Sequence, residues 1–231
     1  NAGGAMNDRP SGVLRGLLVS LLVLVPRAEA QPTSYLAQGS FELPAREAVE
    51  SIQEPGDIAV ALDGTLHILD RKGRIFVYTP AGEFLRSYGP PDLGRPVAIV
   101  IGRDGLPTVA DARSRMIYVY KPEGELVLSF GGAGNLGGRL ADPVDVERGP
   151  GDLIYVLDPG RGGVQVFSPD GLFIRSIPTA PAVSRPAALA VGPDGSIFLA
   201  EGKEGGLFFR VPALDRLPWS GPLPPESFEG I

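Results

Sequence analysis

The chain contains no cysteine and a single histidine, His67, in 231 residues. Without thiols it carries neither a disulfide framework nor a cysteine nucleophile, and a four-thiolate metal site is excluded. One imidazole cannot supply a three-His zinc site or a paired His acid and base. Basic charge is scarce too: 21 Lys and Arg stand against 27 Asp and Glu, a formal net charge of −6. Such a chain generates no broad basic field to hold a phosphate backbone or an anionic lipid surface, so nucleic acid is not an expected partner.

The chain also lacks an apolar run of bilayer length. Its main run, Leu17 to Val25, follows Arg9 and Arg15 and precedes Pro26 and Ala28-Glu29-Ala30. A charged start, a short apolar centre and a small-x-small end describe a secretory signal peptide cut after Ala30, so residues 1–30 read as upstream residues plus leader. The alternative is the same segment kept as an anchor. No cysteine follows the run to take a lipid, and Met6, directly ahead of it, is the expected initiator. The mature protein is expected in the periplasm or outside the cell, with no membrane insertion after cleavage.

Glycine and proline are abundant, at 32 and 24 residues. They leave no room for long helices and border on low complexity unless they recur at a fixed period. The 43% apolar content is enough for an ordinary core. The period exists. Pro55, Pro96, Pro143 and Pro186 open units spaced 41, 47 and 43 residues apart. A turn pair follows in each: Asp63-Gly64, Asp104-Gly105, Gly151-Asp152 and Asp194-Gly195. An acid comes next at a common offset, namely Asp70, Asp111, Asp158 and Glu201, and then a second proline, Pro80, Pro122, Pro169 and Pro212. In the first three units Gly82, Gly124 and Gly171 complete a Pro-x-Gly turn.

Each unit divides into four short strands. In the first these are expected at residues 58–62, 66–70, 74–79 and 83–88, with the Asp-Gly pair supplying the positive φ angles of a two-residue hairpin. The third strands, such as Ile75-Phe76-Val77-Tyr78 and Ile117-Tyr118-Val119-Tyr120, are apolar at nearly every position. Strands of that kind need cover on both faces, which a radial stack of sheets provides. A four-stranded unit of this length is the pattern of a β-propeller blade.

Pro143-Val144-Asp145-Val146, Ile154-Tyr155-Val156-Leu157-Asp158, Val164-Gln165-Val166-Phe167 and Pro169-Asp170-Gly171 together make the third unit resemble the NHL repeat family. The resemblance covers about residues 54–221, divided near 54–95, 96–142, 143–185 and 186–221, and the fourth unit departs from it with Glu201 and with Pro218 inside its last strand. It implies an all-β propeller of four-stranded antiparallel blades. Four units fall short of the six usual in that family, so an incomplete propeller is expected, with a closed four-bladed ring as the alternative. Residues 31–53 carry a candidate closing strand, Ser34 to Phe41, and residues 222–231 form a Pro-rich tail or the start of another blade.

Asp70, Asp111, Asp158 and Glu201 fall at one edge of neighbouring blades, where clustered carboxylates could take a cation such as calcium. An Asp that ends a strand before a turn more commonly accepts backbone hydrogen bonds from that turn, and this is the expectation. Arg71, Lys72, Arg113, Arg115, Arg161 and Lys203 lie in the same connections and are the candidate binding surface for an acidic ligand. His67, between Leu66 and Ile68 in a second strand, is expected to be packed or merely polar. Propeller enzymes related to NHL proteins use several His on zinc, and lactonase propellers use Asn with Asp and Glu on calcium. From Gln31 onward this chain holds one His and one Asn, Asn135. The expected function is therefore non-catalytic binding of a protein, peptide or carbohydrate, with no cofactor. The alternative is a fragment of a propeller hydrolase or lyase with its catalytic residues elsewhere.

Overall fold

The computed structural model describes residues 51–89, 93–179 and 186–202, together with the backbone of Phe208–Val211. The leader, the candidate closing strand, Lys203, the last strand expected in the fourth unit and the tail lie outside the described residues. The first three repeats form four-stranded antiparallel sheets whose strand order follows the chain. They comprise β1 to β4 (Pro55–Val60, Leu66–Asp70, Arg74–Tyr78, Phe84–Tyr88) and β5 to β8 (Pro96–Ile101, Pro107–Asp111, Met116–Tyr120, Leu126–Gly131). The third has β9 to β12 (Asp145–Arg148, Ile154–Asp158, Gly163–Phe167, Phe173–Pro178). The fourth has three described strands, β13 to β15 (Pro186–Val191, Ile197–Glu201, Phe208–Val211).

The repeat extends to defects in the ladders. A bulge follows the opening proline in the first, second and fourth sheets, at Pro55/Asp57, Pro96/Ala98 and Pro186/Ala188. Another sits near the end of each described third-to-fourth strand pair, at Val77/Tyr78, Val119/Tyr120 and Val166/Phe167. Bulges add local twist, and here they recur at equivalent positions of the repeat.

Neighbouring sheets pack face to face, and the core lies in the seams between them. Leu69, Ile75 and Val77 meet Ile99, Val109 and Tyr120 in the first seam. Ala98, Ala110 and Ile117 meet Val146, Val156 and Phe167 in the second, and Leu157, Val164 and Val166 meet Leu189 and Leu199 in the third. Both faces of the middle strands are therefore covered, and every residue of β6, β10 and β11 is buried. Each such aliphatic side chain contributes roughly 1.5–3 kcal/mol on burial. The inner strands β1, β5, β9 and β13 stand beside one another in succession, and the described sheets do not close into a ring.

The first hairpin corrects one expectation. β1 starts at Pro55 and ends at Val60, so Asp63-Gly64 lies in a longer loop and not in a two-residue turn. Only Gly64 has positive φ, at 83°; its N–H bonds Ala61 O, and Ala61 N–H bonds Thr65 O. Asp63 instead accepts from the Thr65 N–H and hydroxyl, which closes the loop without a left-handed Asp. The third sheet is the exception, with Gly151 and Asp152 both at positive φ.

Candidate functional site

At the edge where each second strand ends, a buried acid fastens the chain that enters the sheet. Asp111 accepts from the Arg95 N–H at 2.8 Å on one oxygen. Its other oxygen takes the N–H groups of Arg113 and Ser114 and the Ser114 hydroxyl, at 2.9, 2.8 and 3.1 Å. Asp158 accepts from Ala141 and Asp142 on the incoming side and from Arg161 on the turn side. Asp70 does the same with Gln53, Glu54 and Lys72. All three are 0–1% exposed, and Glu201 holds the equivalent place at 8%. The three aspartate carboxylates are thus hydrogen-bonded within their own sheets. Among the described residues, no three His, Asp or Glu form a group able to hold a metal ion.

The basic candidates on the same edge separate into two sets. Lys72 pairs with Glu54 at 2.8 Å, and Arg161 donates to the carbonyls of Gly134, Asn135 and Leu136, pinning the glycine-rich connection. Arg71, Arg113 and Arg115 are exposed, and among the described residues no ion pair or hydrogen bond engages their guanidinium groups. Arg115 has φ 59°, and its carbonyl accepts from Gly132, so the following connection holds this turn in the left-handed conformation. Arg95 and Arg139 are also exposed here, Arg95 at 3.7 Å from Asp142. The edge is therefore richer in cations than the acidic chain as a whole.

His67 is 1% exposed, and its Nδ1 lies 3.0 Å from the Tyr88 hydroxyl. Burial, aided by the positive charge of Arg86, pushes its pKa down to about 4. It is a packed neutral imidazole within the first seam.

Three acids that repeat counting passed over stand on the inner strands. Asp57 accepts from Ile99 N–H at 2.8 Å and Asp145 from Leu189 N–H at 2.7 Å, so each bonds its sheet to the next. Burial pushes Asp145 and Glu147 each up to about 7, and the Asp57 charge adds to both shifts; Asp57 itself is raised, chiefly by burial. The sequence signal was available: both aspartates stand two residues after an opening proline, alternating with Ala98 and Ala188. The second seam, which has no such aspartate, uses Arg148 instead. Its guanidinium pairs with Asp104, while Asp152 accepts from the Arg103 N–H at 3.0 Å.

No family model and no curated protein matches the chain. Solved structures do. A catalytically inactive variant of virginiamycin B lyase from Staphylococcus aureus, crystallised with quinupristin, aligns with a TM-score of 0.53 at 18% identity, covering 63% of this chain and 48% of that one. A protein of unknown function from Bacteroides caccae aligns at 0.52 and 18%, covering 68% and 56%. Kuenenia stuttgartiensis hydrazine synthase aligns at 0.56 and 17%, covering 73% and 49%. The fold is a β-propeller. The chain spans about half the length of the structures it matches, and at these identities the likeness concerns architecture alone.

Proposed function

We propose that this chain is an exported, non-catalytic propeller of NHL type that binds an acidic segment of a protein, peptide or carbohydrate partner across the edge carrying Arg71, Arg113 and Arg115. The carrying observation is that these three exposed guanidinium groups, on the second-to-third-strand turns of two adjacent sheets, have no partner among the described residues. Arg presents a planar fork suited to carboxylates. The acids beside them are already fastened to backbone N–H groups, so they are not open to coordinate or transfer anything without loosening the sheet entry.

Two probes test it: a polyglutamate peptide and polygalacturonate, each titrated into the purified chain by calorimetry. Binding of either should weaken steeply with salt. Replacing all three arginines by Glu should abolish it, while Lys121→Glu, in a turn at the opposite edge, should leave it unchanged. Equal binding by the triple variant would sink the proposal. The second reading, a fragment of a propeller lyase or hydrolase, is favoured by the lyases among the matched structures and by the half-length coverage. Conversion of quinupristin by the purified chain, followed by chromatography, would put that reading in first place.

A further inference from the structure

We infer that the open face of β1 is a docking surface for a second copy of this chain, which covers it with the outward face of its fourth sheet. Ile58 stands three residues after its opening proline, as do Ile99, Val146 and Leu189. Those three are 4, 2 and 5% exposed because the preceding sheet packs on them, whereas Ile58 is 44% exposed and Val60, on the same face, 62%. The outer part of this sheet face is already closed: Ile68, Phe76 and Tyr78 are buried, with Ile52, Leu66 and Phe84 packed on them. The open area is the inner strand, which is where successive sheets of this molecule meet.

The residues say what kind of surface belongs there. In the second seam, Ala98 and Ala110 on the second sheet lie against Val146, Val156 and Phe167 on the third, and the two alanines are 3 and 0% exposed. The fourth sheet repeats both alanines in register, as Ala188 and Ala200. Leu189 and Leu199 turn toward the third sheet, so strand alternation turns Ala188 and Ala200 outward, and Ala188 is exposed. Opposite them a second copy would offer Ile58, the register equivalent of Val146, with Val60 beside it on the same face. Joining the two faces buries no inner-strand carboxylate, because Ala188 stands where Asp57 and Asp145 stand in the first and third sheets. It buries no unpaired arginine either, because Val60 stands at the position of Arg148. Contact of unlike faces is heterologous, so it propagates until the rotation closes.

Light scattering on the purified chain during size exclusion, over a range of concentrations, tests this. A mass of two or more chains is expected. Ile58→Glu, or Val60→Arg should that variant fail to fold, is expected to give single-chain mass, as is Ala188→Glu. An equimolar mixture of a β1-face variant with Ala188→Glu should regain the two-chain species, because each contributes the face the other retains. Leu172→Glu, at a 64% exposed position in the turn before β12, should leave assembly intact. Single-chain mass of the parent at every concentration overturns the inference. So does assembly that survives both substitutions, or a mixture that stays single-chain.

Discussion

At the residue scale, the acids that looked most like chemistry turn out to be the fasteners of the fold. Asp111 takes four donors, three of them backbone N–H groups. Asp111→Ala takes the acceptor from four partly buried donors, and a loss of about 2–3 kcal/mol is expected from urea denaturation, with Asp111→Asn losing less. The acids on the inner strands behave differently. Folded Asp145 and Glu147 titrate near 7, above their ordinary values, so the native state binds their protons more tightly than the unfolded chain. Their stabilisation is full below the ordinary carboxylate range and is lost as pH rises through about 7. His67, at about 4 against an ordinary 6.5, has the opposite sign, and its effect is lost as pH falls between those values. Urea midpoints measured across this window should therefore tilt in opposite directions in two variants. Glu147→Gln should gain on the order of 1 kcal/mol at alkaline pH, after allowing for its partial exposure, and His67→Phe should lose part of the acid-side decline.

At the element scale, the repeated turns do two different jobs that their similar sequences conceal. Gly105 and Gly124 both have positive φ, at 77° and 98°. A Cβ on Gly105 would meet nothing within 4 Å, whereas one on Gly124 would fall 2.5 Å from the Tyr88 Cβ of the preceding sheet. The Pro-x-Gly turn is thus a packing contact between sheets, reinforced by Arg86, which donates to Pro122 O. Gly171 repeats the arrangement against Phe130. Gly105→Ala should cost about 1 kcal/mol, the conformational penalty alone, and Gly124→Ala about 2–4 kcal/mol, because backbone strain and overpacking add. Equal thermal shifts for the two would contradict this account.

At the scale of the whole molecule, charge and apolar surface are arranged unevenly. The chain is acidic, yet the edge bearing Arg71, Arg113 and Arg115 is locally cationic, and this contrast makes the predicted polyglutamate binding sensitive to salt. The apolar surface is uneven as well: among the described sheets, the first leaves Ile58 exposed on its inner strand and the fourth leaves Ala188 exposed on its outward face. The expected two-chain mass follows from the match of these two faces to the buried second seam.

Much of this was legible from residues in order along the chain. Prolines at a period, Asp-Gly and Pro-x-Gly turns and third strands apolar at nearly every position point to four-stranded sheets covered on both faces, because such strands must be hidden from water on either side. The aspartate ending each of the first three second strands was also legible as a backbone acceptor, since its spacing to the turn is local. What the tertiary structure alone decided is which side chain meets which across a seam. Only there does Asp57 reach the Ile99 N–H, Gly124 press on Tyr88, Arg148 replace a missing aspartate, and Arg161 become a strut while Arg71 stays open. Those contacts join residues of different repeats, and a pattern read along one repeat marks the positions but does not say which side chain of the next sheet each one meets.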